Sequence, residues 1–320
     1  MEGNLSAFIV GGITMSEDSV GREKLGWNYG GQAIIEGVMM RGGHAAAMAV
    51  RRPDNGEIIL KTEPVNATIY RGTISKIPVL RGFPMLWDAL GLGMRALFFS
   101  ADVVGQAEDP DFSMSGGTGI ATGAFSLLLG VGLFMVFPSW LAGLIVKDSP
   151  LLFNIVEGLI RLLLLVGYML AVAQMEDIRR VFAYHGAEHK TINAYEDGAP
   201  LTVDGVRPYT TAHARCGTAF LLMVVFISIL VFAPLGKPPL LIRILSRILL
   251  IPVVAGLAYE VLRFTGRNAD KPWIQALITP NLALQRLTTR EPDDDMLEVA
   301  ITALKAVMEG EQAQTQTQAS

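Results

Sequence analysis

The sequence predicts an α-helical integral membrane protein: about four transmembrane helices, a small cytoplasmic antiparallel β unit near the N-terminus, and cytoplasmic amphipathic helices. Three observations carry that expectation. Hydrophobic residues make up 51% of the 320 and charged residues only 18%, against about 25% charged in a typical soluble domain, and mean hydropathy is +0.41. From Phe112 to Val146, 35 consecutive residues contain no Asp, Glu, Lys or Arg, while roughly 20 apolar residues suffice to cross a bilayer core. Lysine and arginine also alternate between rich and poor segments along the chain.

The same composition excludes other classes. A single cysteine, Cys216, rules out a disulfide framework and a CxxC metal ribbon. A net charge of −4 gives no electrostatic footprint for nucleic acid. Met1–Val10 lacks the basic start of a cleavable signal peptide, and its apolar run is too short for one.

Residues 1–28 read as a disordered leader. Residues 29–82 read as a β unit: Ala33–Ile35 and Val38–Met40 flank Gly37, and Ala45–Arg51 and Glu57–Lys61 flank Pro53-Asp54-Asn55-Gly56. Asn-Gly between two β-type runs is a strong hairpin signal. Over 83–105, Leu86, Leu90, Met94, Leu97 and Phe98 recur at helical spacing. That helix can lie on the membrane surface or pack on the β unit. Residues 106–118 read as a linker.

Residues 119–262 hold the four expected spans: within Gly119–Val146, about Leu151–Met175, about Gly217–Leu235, and roughly Pro239–Leu262. The last is the weakest, because Arg243 and Arg247 leave only 12 uninterrupted uncharged residues, Ile248–Tyr259. A histidine-containing loop, 176–216, separates the second and third. Segment 263–309 ends in a helix from about Asp294 to Met308, whose acidic start suits a helix N-terminus. Residues 310–320 read as a disordered tail. Ten Lys and Arg precede the first span, five occupy the central loop and six lie from Arg263 onward, but the two short turns hold one each, Lys147 and Lys237. The positive-inside rule places both termini and the central loop in the cytoplasm.

Two of the four histidines lie in Tyr184-His185-Gly186-Ala187-Glu188-His189-Lys190, an H-x-x-E-H pattern. On a helix, His185, Glu188 and His189 share one face. Two imidazoles one turn apart can ligate a divalent metal, zinc above all, and a neighbouring glutamate can act as base, as in the inverted zinc-protease motif. His213 and Cys216, spaced i, i+3, add two further candidate ligands. Four ligands close a structural site, and three leave a catalytic position open. The alternative is that the histidines only hydrogen-bond a helix at the membrane surface and Cys216 is an ordinary buried residue. For the further carboxylate ligand of that protease motif the candidates are Glu260, 71 residues after His189 at the edge of the fourth span, and Glu196, one or two turns beyond His189 if the helix continues.

Four stretches resemble the signatures of the YqhQ-like bacterial membrane-protein family: Tyr29–Gly42 (YGGQAIIEGVMMRG), Tyr184–Tyr195 (YHGAEHKTINAY), His213–Thr218 (HARCGT) and Leu287–Asp295 (LTTREPDDD). The similarity covers about Tyr29 to Met308. That family is a domain of unknown function, described as predicted metal-dependent enzymes. The resemblance implies a multi-pass protein of the bacterial inner membrane, in which the glycine-rich motif belongs with the histidine loop. Gln32, Glu36, Arg41 and His44 sit on or beside glycine-flanked strands. They can support the histidines or contact a ligand, or be solvated strand ends.

Glu157 and Arg161 are spaced i, i+4 in the second span, and Arg243 and Arg247 likewise in the fourth. Ionisable groups at that depth normally face the bundle interior, paired, so Glu157 is expected to meet Arg161 or Arg247. Such a network can form a polar pathway or simply pack the bundle. Three functions follow. The first is a membrane-anchored metal-dependent hydrolase with Glu188 as base. The second is a scaffold or membrane-protein biogenesis factor with a structural metal or none. The third is a small carrier built on the Glu157, Arg161 and Arg247 network. Expected partners are the lipid bilayer and membrane proteins or further copies of the chain.

Overall fold

A computed structural model describes residues 9–10, 13–14, 29–65, 76–114, 117–213, 216–268 and 271–319. The leader 1–28, apart from a short antiparallel pair, β1 Ile9–Val10 and β2 Ile13–Thr14, lies outside the described residues.

Four strands follow in an antiparallel meander: β3 Gly30–Ile34, β4 Gly37–Arg41, β5 Ala45–Arg51 and β6 Ile58–Pro64. The β5–β6 turn is the Asn55-Gly56 turn, with Gly56 at φ +74°. At the first turn the sequence expectation needs correcting: Gly37 is not the turn residue. It pairs with Ile34 and Val50 inside β4, where a Cβ would lie 2.2 Å from the Ala49 carbonyl oxygen. Glu36 takes the left-handed conformation instead, at φ +50°.

Both faces of the sheet are covered, so β5 shows no alternation of polar and apolar residues. Helix α1, Gly82–Gly105, seals one face, with Leu92, Ala96 and Val103 packed on Ile34, Met39, Met48 and Val50. Of the two placements open to this helix, packing on the sheet is therefore the observed one. Its opposite face leaves Phe83, Trp87, Leu90 and Met94 exposed.

The other face of the sheet, with Val38, Met40, Ala47 and Ala49, receives two helices. These are α5, Glu176–Glu196, through Tyr184, Ala187 and Ile192, and the C-terminal helix α11, Asp294–Ala319, through Leu297, Ala300, Ile301 and Leu304. A one-turn helix, α6 (Val203–Val206), caps this cluster with Val206.

Helix α11 does not end at Met308. It continues to Ala319, so the tail expected to be disordered is helical through that residue. The extension is fastened by Glu311, buried against the β4–β5 turn. Its carboxylate accepts the backbone N–H of His44 at 2.5 Å and of Ala45 at 3.1 Å, and meets His44 Nδ1. Glu311→Ala strands those buried donors and is expected to cost about 1–3 kcal/mol. Thermal unfolding should show a fall in Tm that Glu311→Gln, which keeps an acceptor, largely restores. An unchanged Tm for the alanine variant would contradict the role.

The apolar helices lie between these elements in sequence. Helix α2 (Gly117–Val131) runs through a π-helical turn, Gly132–Val136, into α3 (Phe137–Ile145). After a tight turn, Ser149 caps α4, Pro150–Val172, by accepting from Leu152. Then come α7 (Gly217–Phe232), α8 (Leu240–Leu249), α9 (Ile251–Arg267) and α10 (Pro272–Thr288).

Two stretches are long and apolar enough to cross a membrane: Gly119–Ile145 and Pro150–Val172. The expectation of four is thus reduced to two, or three if the bent pair α8–α9 counts as one span. Helix α7 with its last turn is shorter, because Cys216 caps its start and Pro234 opens a 3-10 turn at its end. The fourth stretch bends by 47°. Pro252 has no N–H to give the Ile248 carbonyl, which breaks the ladder there.

Candidate metal centre

Helix α5 projects two stripes. Arg180, Tyr184 and Glu188, four apart, face the sheet, and His185 and His189 form the neighbouring stripe, about 100° further round the helix. The His185 Nδ1 lies 2.8 Å from the Thr288 carbonyl oxygen and the His189 Nδ1 lies 2.6 Å from that of Thr211. A carbonyl can only accept, so each Nδ1 carries the proton and each Nε2 is left with its lone pair. The His185 Nε2 is 3.2 Å from the Cys216 Sγ. The His189 Nε2 is buried and has no hydrogen-bond partner. The ligand atoms of His185, His189 and Cys216 all lie within 4.8 Å of one another.

An orphaned buried nitrogen, a second imidazole in the same tautomer and a thiol together form a donor set suited to a divalent metal of zinc type. Burial holds His189 below the usual imidazole range, although the nearby thiol opposes this. His189 is thereby kept in the neutral form that ligates.

His213 does not join the group. Its spacing to Cys216 presupposed a helix, but α7 begins only at Gly217, and Cys216 is an extended N-cap whose Sγ accepts from the Thr218 amide. The His213 ring centroid is 5.5 Å from that of His189, and its Nε2 is 3.7 Å from Glu196. The backbone of His213 is clamped by the buried Gln285 of α10, which accepts its N–H at 3.0 Å and donates to its carbonyl at 2.6 Å. Neither Glu196 nor Glu260 completes the group, and Glu260 is engaged by Arg81.

Glu188 is buried between α5 and β3, where it accepts the backbone N–H of Gly31. Burial pushes its carboxyl upward, against the opposing pull of His185 and His213. It lies close to the ligand stripe without being part of it. Glu36 is bound by Arg180, with Tyr184 Oη at 3.4 Å. Arg41 pairs with Asp88 at 3.4 Å, Gln32 lies against Gly93 of α1, and His44 meets Glu311. These four residues belong to the sheet and its helices, and the structure does not bring them to the His/Cys group. The polar contacts Gly31–Glu188 and Glu36–Arg180 join the glycine-rich motif to α5, alongside the packing of Tyr29, Val38 and Met40 on that helix.

Several contributors carry little sequence signal. Thr211 and Thr288 act through backbone carbonyls. Lys190 is buried and bonds to Glu291 and to the Arg207 carbonyl at 2.8 Å. Asn193 donates to the carbonyls of Thr210 and Ala212. Motif residues beyond His185, His189 and Cys216 thus hold the loop over the helix.

A second polar cluster lies among the apolar helices. Glu157 accepts from Arg247 through Nε at 2.8 Å and through Nη2, and from Arg161 at 3.1 Å. Arg247 also reaches Asn154 at 3.2 Å. Arg161 donates to Ser228 Oγ at 3.0 Å and to the Phe134 carbonyl, inside the π turn, at 3.0 Å.

Two or three apolar membrane-length helices, joined to a sheet-and-helix body with a His/Cys cluster at the junction, define the class of protein. The chain belongs to a family of proteins of unknown function, DUF1385, whose model matches residues 77–310. It is 36% identical over 307 residues to "Uncharacterized protein YqhQ" of Bacillus subtilis (strain 168), covering 91% of this chain and 95% of that protein. No solved structure matches the chain.

Proposed function

We propose that this protein is a metal-dependent, hydrolase-like enzyme of the bacterial inner membrane, with both termini and the histidine loop cytoplasmic. His185, His189 and Cys216 would hold a divalent ion, and Glu188 would handle the proton. The observation that supports this best is the buried, partnerless His189 Nε2 aimed at the same space as the His185 Nε2 and the Cys216 thiol. A metal held by three protein ligands keeps one position for substrate or water and acts there as a Lewis acid. The Thr211 and Thr288 carbonyls fix both imidazoles in the ligating tautomer. Glu188 offers a carboxylate with a raised proton affinity beside them. Apolar helices anchor the site at the bilayer, which suits an amphiphilic or membrane-bound substrate.

A second reading is favoured by one observation, the burial of His189 and Cys216. In it the metal is structural and fastens α7 to α5.

The test is metal content of detergent-purified protein beside His185→Ala/His189→Ala. About one divalent ion per chain, as expected for a single such site, lost in the double variant, supports the site. No stoichiometric metal in material prepared without chelator overturns it. Glu188→Gln should keep the metal and abolish turnover of ester, peptide or phosphoester substrates. Equal turnover by both proteins, or none by the wild type, leaves the structural reading standing.

A further inference from the structure

We propose that the end of the apolar helices away from the histidines carries a binding site for the phosphate of an anionic phospholipid. The inference rests on the membrane placement but not on the metal.

Helix α4 starts at this end and finishes beside α5, so the two sites are separated by about the length of a membrane-spanning helix, ~35 Å. A cavity of about 470 Å³ opens here between α3 and α8, with Trp140, Gly143, Leu144, Lys237, Leu240 and Arg243 among its walls. The Lys237 ammonium is drawn in by the Val146 carbonyl and stands 5.4 Å above the Phe153 ring centroid. The Arg243 guanidinium lies 4.6 Å from the same centroid and donates to the Ser139 carbonyl at 3.2 Å. Arg243 is only 5% exposed, and its Nε is buried without a partner.

Charge counts in the same direction. Among the described residues of this cluster, Arg161, Arg243 and Arg247 are served by one carboxylate, Glu157, which bonds to Arg161 and Arg247 and not to Arg243. Lys237 adds a further positive charge at the mouth. Glu157 acts on Arg243 only through its charge, which Arg161 and Arg247 already share, and a guanidinium withdrawn from water with no carboxylate bonded to it is costly, more so within a bilayer. The cavity supplies room for an anion.

The walls also say what kind of anion it is. Leu144 and Leu240 are exposed beside the two cations, and Trp140 is of the type that settles at the headgroup level. A phosphodiester between Lys237 and Arg243, with its acyl chain along Leu144 and Leu240, satisfies both the charge and the apolar walls. A zwitterionic headgroup would bring its own cation into an already positive cavity.

Native mass spectrometry of the full chain, released from detergent with added phosphatidylglycerol or phosphatidylcholine, reads this directly. Retention of phosphatidylglycerol over phosphatidylcholine is expected, falling roughly tenfold in Lys237→Gln/Arg243→Gln as two charge-assisted contacts are lost. Because that variant removes two buried interactions, Gly143→Leu provides a second reading with every charge in place. A Cβ at Gly143 meets nothing closer than Arg243 Nη2 at 3.6 Å, so the side chain fills the cavity and should displace the lipid. Equal retention of the two lipids, or undiminished retention in Gly143→Leu, overturns the site. Inorganic phosphate is the remaining arm. Failure of millimolar phosphate to displace the lipid supports the phospholipid, and saturation by phosphate with no lipid retained overturns that assignment. Metal content should be unchanged in all these variants, which keeps this test separate from that of the histidine site.

Discussion

Glu157→Gln is expected to destabilise the protein by about 3–5 kcal/mol, the range for removing one partner of a buried ion pair. Glu157 and Arg247 are 2% and 1% exposed, so neither charge has water to fall back on. The carboxylate joins four elements: its own α4, α8 through Arg247 and, by way of Arg161, the π turn at Phe134 and α7 at Ser228. Glutamine keeps the size and one acceptor but no charge, so Arg247 and Arg161 lose their counterion together. Arg247 already carries an Nη1 without a partner. The measurement is thermal or denaturant unfolding in detergent, with Glu157→Asp beside it as a charge-retaining control. A Glu157→Gln variant as stable as the wild type would mean that the arginines reach solvent or another anion. A double variant, Glu157→Gln/Arg247→Gln, should recover part of the loss, because replacing both partners strands neither.

How far the sequence discloses this molecule depends on whether the relevant contact has a residue-type signature. The His185–His189 pair was legible because the helical repeat alone puts i and i+4 on one face, and Cys216 because the chain has no other cysteine. The Glu157 network was legible too, since a charge in an apolar helix must find a partner nearby. The carbonyls of Thr211 and Thr288, which set both imidazole tautomers, were not legible, as a backbone acceptor leaves no trace in residue identity. His213 was misread because an i, i+3 spacing means one face only if the chain is helical there, and the helix starts one residue after Cys216.

The apolar segments show the same limit. Hydropathy averaged across Pro252 and Pro234 hides the places where the backbone must break. At Ala45–Val50 the strand is covered on both faces and has no polar side to show, and its alanines admit α11 closely. Glu311 gave no signal. It stands in a Gln-rich tail, and only the fold reveals that the β4–β5 turn is within its reach.

Gly186→Ala is expected to dissolve the His/Cys cluster without touching a ligand. Gly186 sits on α5 next to the histidine stripe, on the side away from the sheet-facing one, and the segment after α10 crosses directly over it. An added Cβ would lie 2.0 Å from the Arg290 carbonyl oxygen and 3.2 Å from Thr211 Cγ2. The first of these is backbone, which cannot swing aside as a flexible side chain can. The crossing is pinned at two points, by the Arg290 N–H on the Phe182 carbonyl at 2.9 Å and by the Thr288 carbonyl on the His185 Nδ1. Relieving the clash therefore means lifting the segment, and with it the acceptor that holds the His185 tautomer. Overpacking a close contact costs typically 1–3 kcal/mol and sometimes more, so a Tm loss of several degrees should accompany the local effect. The local effect is the sharper readout: metal content should fall as far as in His185→Ala/His189→Ala, although every ligand remains. A variant with full metal content but lowered Tm would show that the cluster assembles without the Thr288 carbonyl. Full metal with unchanged Tm would show that the segment after α10 does not cross Gly186 at all.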